Sequence, residues 1–135
     1  MKIVEFKHVY KEYIVGSNVI KANSDLNFSI NKGEFCVIVG PSGSGKTTLL
    51  NLLGGMDSIT KGSIVVDGED ISTYNDKKLT LFRRNVIGFV FQFYNLMPNL
   101  TAKDNVEIAT EICSNPLNSS DALKAVGLEE REHNF

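Results

Sequence analysis

The chain has 135 residues, a length that suits one domain or part of a larger one. Apolar residues make up 42%, which supports a hydrophobic core and argues against wholesale disorder. The net charge is -2 with acidic and basic residues interspersed, so no basic block marks a nucleic-acid footprint.

Residues 1–30 read as β-structure, with a first strand over 3–9. In the second strand Leu26, Phe28 and Ile30 alternate with Asn27 and Ser29, the period of a half-buried strand. Gly16-Ser17-Asn18 and Asn31-Lys32-Gly33 read as turns. Residues 35–39, Phe-Cys-Val-Ile-Val, are apolar without alternation, which predicts a strand covered on both faces as in a parallel sheet. A glycine-rich loop follows. Leu49, Leu50, Leu52, Leu53 and Met56 then form a helical stripe that Gly54-Gly55 ends.

Residues 62–66 predict a short strand closed by the hairpin signal Asp67-Gly68. Asn75 or Asp76 can cap a helix running to about Arg84, and 86–91 is a second apolar strand. Residues 95–100, with Pro98, form a loop. Thr101 can cap a helix through about Cys113, with Asp104 in capping-box position. Ser120 can cap a last helix that stops near Gly127. The two cysteines, Cys36 and Cys113, form no C-x-x-C pair, and Cys36 is expected as a buried thiol. That usage fits a reducing cytoplasm. The N-terminus lacks the apolar run of a signal peptide, and no window approaches a membrane span. Any membrane role must therefore come through a partner.

The chemistry concentrates in Gly40-Pro41-Ser42-Gly43-Ser44-Gly45-Lys46-Thr47, which matches G-x-x-x-x-G-K-[ST]. Glycines let the backbone curl so that successive N–H groups converge on phosphate oxygens. The following helix adds the partial positive charge of its N-terminus. Lys46 supplies a point charge for the β- and γ-phosphates, the Thr47 hydroxyl is placed for Mg²⁺, and Thr48 can donate near the α-phosphate. A flexible glycine turn would not require a lysine and a hydroxyl at the start of an apolar helix.

Residues 39–50 resemble the Walker A region of ABC transporter ATPases, and residues 62–68 and 87–92 resemble that family's next segments in order. Residues 93–101 resemble the branch of lipoprotein-release, macrolide-export and antimicrobial-peptide exporters. The resemblance implies an α/β fold. It would comprise a P-loop NTPase core, an N-terminal antiparallel β-subdomain, the start of a helical subdomain, and an incomplete sheet. On that reading 1–35 and 62–73 form the β-subdomain, 36–61 and 74–93 the core, and 94–135 the start of the helical part. It also implies roles for two further residues. Tyr13 falls at the aromatic that stacks on adenine, with Tyr10 as the alternative, and Gln92 falls at the Q-loop glutamine that contacts Mg²⁺ and the attacking water. Lys46 and Gln92 are thus the implied catalytic residues. Asp67 and Glu69 mimic a Walker B end but sit at a hairpin turn and are assigned no role. Arg83-Arg84 reads as a solvated helix end, and His8 and His133 receive no role.

The family's Asp-Glu strand, Leu-Ser-Gly-Gly-Gln signature and switch histidine do not occur in this sequence. The expectation is therefore the N-terminal part of an ATPase domain that binds ATP with Mg²⁺, inactive in turnover alone and able to self-associate. The intact protein would be a cytoplasmic subunit on the inner face of the membrane. It would pair with a second ATPase subunit and an integral-membrane permease. The alternatives are a soluble ABC-type ATPase without a transport role, and a truncated nucleotide-binding module.

Overall fold

A computed structural model describes all residues, Met1–Phe135. The chain divides into two compact units, Met1–Arg83 and Arg84–Phe135.

The first unit is built on two long strands, β1 (Lys2–Val15) and β2 (Asn18–Asn31), joined through the turn at Gly16-Ser17. After the glycine-rich loop come helix α1 (Lys46–Leu53), strands β3 (Lys61–Val66) and β4 (Glu69–Asp70), and helix α2 (Asp76–Asn85). The sheet has four strands in the order β2-β1-β3-β4, all neighbours antiparallel. Asp67 and Gly68 both take positive φ, 49° and 84°, which is the two-residue hairpin turn their sequence signals. Val4, Phe6 and Val9 of β1, Ile64 and Val66 of β3, Leu49 and Leu52 of α1, Ile71 and Phe82 are buried together as the core. Phe28 of β2 stacks on Phe6 with centroids 4.5 Å apart.

The inward-facing positions of β1 are Val4 and Phe6, then Val9 and Lys11, so the alternation skips a residue. The cause is a bulge between Phe6 and Val9, where His8 has φ 49°. The His8 N–H donates to Asn27 Oδ1 at 2.8 Å, and His8 Nδ1 lies 2.8 Å from Asp25 Oδ1. This slip turns a lysine toward the interior at position 11.

Several expectations need correction. Residues 35–39 and 86–91 are not strands. An extended segment becomes a strand only when a neighbour completes its hydrogen-bond ladder, and neither segment pairs with β1–β4. Their apolar side chains are correspondingly open: Phe35 is 90% and Val39 83% exposed, and Val90 is fully so. Cys36, expected as a buried thiol, is exposed for the same reason. Arg83 is more than a solvated helix end. It is half-buried, and its guanidinium donates to the Gly55 carbonyl and to Thr80 Oγ1.

The second unit holds α3 (Ala102–Ile112) and α4 (Ser119–Ala125). Thr101 and Asp104 form the full capping box of α3, with the Thr101 N–H donating to Asp104 Oδ2 at 3.1 Å and the Asp104 N–H to Thr101 Oγ1 at 3.2 Å. The cap of α4 is Asn118 rather than Ser120. Its Oδ1 accepts from the N–H groups of Ser120 and Asp121, so the helix begins two residues earlier than expected. Asn105 pins the preceding loop: its Oδ1 accepts from the Met97 N–H at 2.8 Å, and its Nδ2 donates to the carbonyls of Met97, Leu100 and Thr101. No helix is long and apolar enough to cross a membrane.

Candidate functional site

Three stretches of the first unit line one open cleft of about 290 Å³. Tyr13 comes from β1, Ile20, Lys21 and Ala22 from β2, and Gly43, Gly45, Lys46, Thr47 and Thr48 from the loop and the first turn of α1.

The loop is shaped by its own backbone. The Ser44 N–H donates to the Pro41 carbonyl at 3.2 Å, and Gly43 and Gly45 take φ 79° and 88°. Gly45 is the N-cap of α1, and no side chain caps the helix. The first bond within the helix runs from the Leu49 N–H to the Gly45 carbonyl at 2.9 Å. The N–H groups of Lys46, Thr47 and Thr48 therefore have no partner inside the helix, and they carry the positive end of its dipole. The neighbouring strand presses close: a Cβ at Gly45 would lie 2.3 Å from the Ala22 carbonyl oxygen, and one at Gly40 would lie 2.8 Å from Ser44 Oγ. Side chains at these positions would push the loop off β2 or fill its concavity.

Lys46 curls back over the loop. Its ammonium donates to the carbonyls of Gly40 and Pro41 at 2.8 and 2.7 Å and to Ser44 Oγ at 3.3 Å. Ser42 is exposed. The assembled donors are N–H groups, an ammonium and hydroxyls, with no carboxylate among the cleft's walls. No three His, Cys, Asp or Glu side chains converge to hold a metal by themselves. This donor set suits a polyanion such as a phosphate chain. A divalent cation fits here as a companion of the phosphates beside the Thr47 hydroxyl, since hard cations need oxygen ligands.

Tyr13 stands at the same cleft, 36% exposed. Its hydroxyl donates to Asp57 Oδ2 at 2.7 Å, and the Lys11 ammonium lies 4.7 Å from its ring centroid. The carboxylate at Asp57 raises the Tyr13 phenol above its ordinary value, burial adds to this, and the Thr48 hydroxyl acts in the opposite direction. Burial pushes Asp57 up, but hydrogen bonds from Lys11, Tyr13 and the Ser58 N–H outweigh it, so the carboxyl ends below the usual range. Tyr10 does not line the cleft; its ring lies 5.5 Å from the Lys61 ammonium instead. Gln92 belongs to the second unit, exposed at a bend. Asp67 sits in the β3–β4 turn, and Glu69 accepts a hydrogen bond from the Tyr74 hydroxyl.

Three residues that sequence reasoning passes over stand close to this arrangement. Lys11 and Asp57 hold Tyr13. Asn23, 6% exposed, donates from Nδ2 to the Gly45 carbonyl at 3.2 Å, while its buried Oδ1 has no partner. A polar residue buried in a strand is a signal only once its burial is known, and the bulge at His8 hides it for Lys11.

Comparison with known proteins agrees with the motif reading. The family model described as "ABC transporter" matches residues 23–135. The chain is 44% identical over 130 residues to a putative ABC transporter ATP-binding protein of Mycoplasma pneumoniae, covering 94% of this chain and 28% of that protein. It is 37% identical over 134 residues to the lipoprotein-releasing system ATP-binding protein LolD of Alcanivorax borkumensis, covering 96% of this chain and 59% of LolD. Its fold superposes with a TM-score of 0.86 on the dimeric ATP-binding cassette MJ0796 bound to ADP and Pi, at 40% identity over 98% of this chain and 60% of that one. The chain thus spans between about a quarter and three fifths of the relatives it matches. It carries an α/β P-loop fold with an incomplete sheet, and it belongs to the ABC transporter family, among the ATP-binding proteins.

Proposed function

We propose that the cleft between Tyr13 and the 40–47 loop binds ATP with Mg²⁺. The observation that carries this reading is the shared cleft itself: an aromatic ring at one side, and free helix N–H groups with Lys46 at the other. The base would stack on Tyr13, which tolerates any purine face. The loop N–H groups and Lys46 would hold the β- and γ-phosphates, and the Thr48 hydroxyl would reach toward the α-phosphate. The Thr47 hydroxyl would hold Mg²⁺, which would supply positive charge against the terminal phosphates. The role of Gln92 toward Mg²⁺ and the attacking water rests on the sequence resemblance alone.

The longer protein of this type would hydrolyse ATP and couple that to export, or to release of a lipoprotein or peptide, as the likeness to LolD suggests. It would work as a pair of ATPase subunits docked on a membrane permease at the inner, cytoplasmic face. This chain alone would bind nucleotide without turnover, because no carboxylate lines its cleft to orient water.

Calorimetric titration with ATP, with and without Mg²⁺, tests the reading. Lys46→Ala should weaken ATP by roughly 10–100-fold, the equivalent of about 1.5–3 kcal/mol for a hydrogen bond to a charged group. Equal affinity in the two chains would refute it. Steady-state phosphate release above that of Lys46→Ala would refute the inactivity.

A further inference from the structure

Lys11 is 8% exposed, a depth at which an ammonium needs partners. It donates to Asp57 Oδ1 at 2.6 Å and to the Ser58 carbonyl at 2.7 Å. Asp57 accepts three hydrogen bonds in all. Its Oδ1 also accepts the Ser58 N–H at 2.7 Å, and its Oδ2 accepts the Tyr13 hydroxyl at 2.7 Å. The Met56 and Asp57 N–H groups donate to the Asn51 carbonyl at 2.9 and 3.3 Å, so this corner is tied to the end of α1. The same helix presents Lys46, Thr47 and Thr48 at its other end.

Tyr13 lies two residues after Lys11 and so shares its strand face. Two groups thereby fix the ring. The bond to Asp57 is charge-assisted and holds the hydroxyl end. The Lys11 ammonium sits over one face of the ring, which leaves the opposite face for a base. A tyrosine side chain has few rotatable bonds, so anchoring its far end sets the plane of the ring. Without the anchor, a ring this exposed would sample other rotamers, and a base would have to order it on binding.

We propose that Asp57, locked by Lys11, is a positioning residue that presets the Tyr13 ring for stacking on a purine base without touching the nucleotide. The inference rests on the reading of Tyr13 as the stacking aromatic. It adds that the end of α1 governs the base side of the cleft while its start governs the phosphate side.

The test separates base from phosphate by titrating the full chain with ATP and, in parallel, with inorganic tripolyphosphate. Tyr13→Phe removes only the anchored hydroxyl and leaves the Lys11–Asp57 pair whole, so it guards against misfolding of Asp57→Asn. Each variant should weaken ATP by about 5–10-fold, and the double variant by no more than one of them, as expected for residues acting through one bond. Affinity for tripolyphosphate should stay within about twofold, since the phosphate donors are untouched. If Tyr13→Ala weakens ATP but Tyr13→Phe does not, the anchor is irrelevant and the proposal falls while stacking stands. If Tyr13→Ala leaves ATP unchanged, the stacking reading fails and the proposal with it. A parallel loss of tripolyphosphate affinity in Tyr13→Phe would show general damage and also overturn it.

Discussion

Gly45 combines two demands that only one residue type meets. It is held at φ 88°, and a Cβ there would lie 2.3 Å from the Ala22 carbonyl and 2.6 Å from Asn23 Nδ2. Left-handed backbone costs a non-glycine residue about 1–2 kcal/mol before any clash is counted. Gly45→Ala should therefore lower stability by at least about that much, read as a fall in the urea midpoint of unfolding. An unchanged midpoint would mean that β2 does not press on the loop. The carboxylates give a second residue-scale expectation. Glu5 is drawn below its ordinary value by Lys2 and Lys7, Asp25 by His8 and Asn27, and Asp57 by bonds that outweigh its burial. A carboxyl whose folded pKa lies below its unfolded one adds stability above the unfolded pKa and loses it as pH falls through the folded pKa. The urea midpoint should thus be flat from neutrality to about pH 5 and decline below about pH 4. Replacing Asp57 by Asn should make that decline shallower; an equal slope would remove Asp57 from the account. The glycine-rich loop at 40–47 and the helix start at Lys46 were legible at this scale because their spacing is itself the motif. Lys11 and Asp57 were not, because a bulge at His8 and a turn after α1 bring them together across 46 positions.

At the scale of elements, local signals worked where an element completes itself. The β3–β4 turn, the end of α1 at Gly54 and the α3 capping box all depend on neighbours within a few residues. Thr101→Ala should cost about 1 kcal/mol and strip amide-exchange protection from the first turn of Ala102–Ile112 before the rest of the helix. Protection that stays uniform would place the helix's stability in its packing instead. The strand reading of 35–39 and 86–91 failed for the converse reason. Apolar runs state that a segment is to be covered, but a strand also needs a ladder partner, and none of the four strands provides one. The misplaced cap of α4 is a smaller case of the same kind: Asn118 and Ser120 are both good caps by type, and only geometry chooses.

For the whole molecule, the open apolar residues matter most. Phe35, Val37 and Val39 in the first unit, and Val90, Phe93 and Tyr94 in the second, are all more than half exposed, an amount of open apolar area that soluble monomers rarely carry. Together with unpaired backbone in 35–39 and 86–91, it favours association between copies. Sedimentation should show concentration-dependent oligomers that Val39→Lys and Val90→Lys disperse, and a clean monomer at high concentration would contradict this. The chain's partial coverage of its relatives was legible from motif order. Which partner covers the open apolar residues was not, because no local pattern names it. A last consequence concerns how freely the sequence can drift. Asn105 grips the 97–101 loop only by main-chain atoms, two on Met97 and one each on Leu100 and Thr101. The path of that loop is therefore indifferent to the side chains at 97 and 99, which can diverge or be redesigned for new contacts at little cost in shape. Asn105 itself is the position where change would not be forgiven.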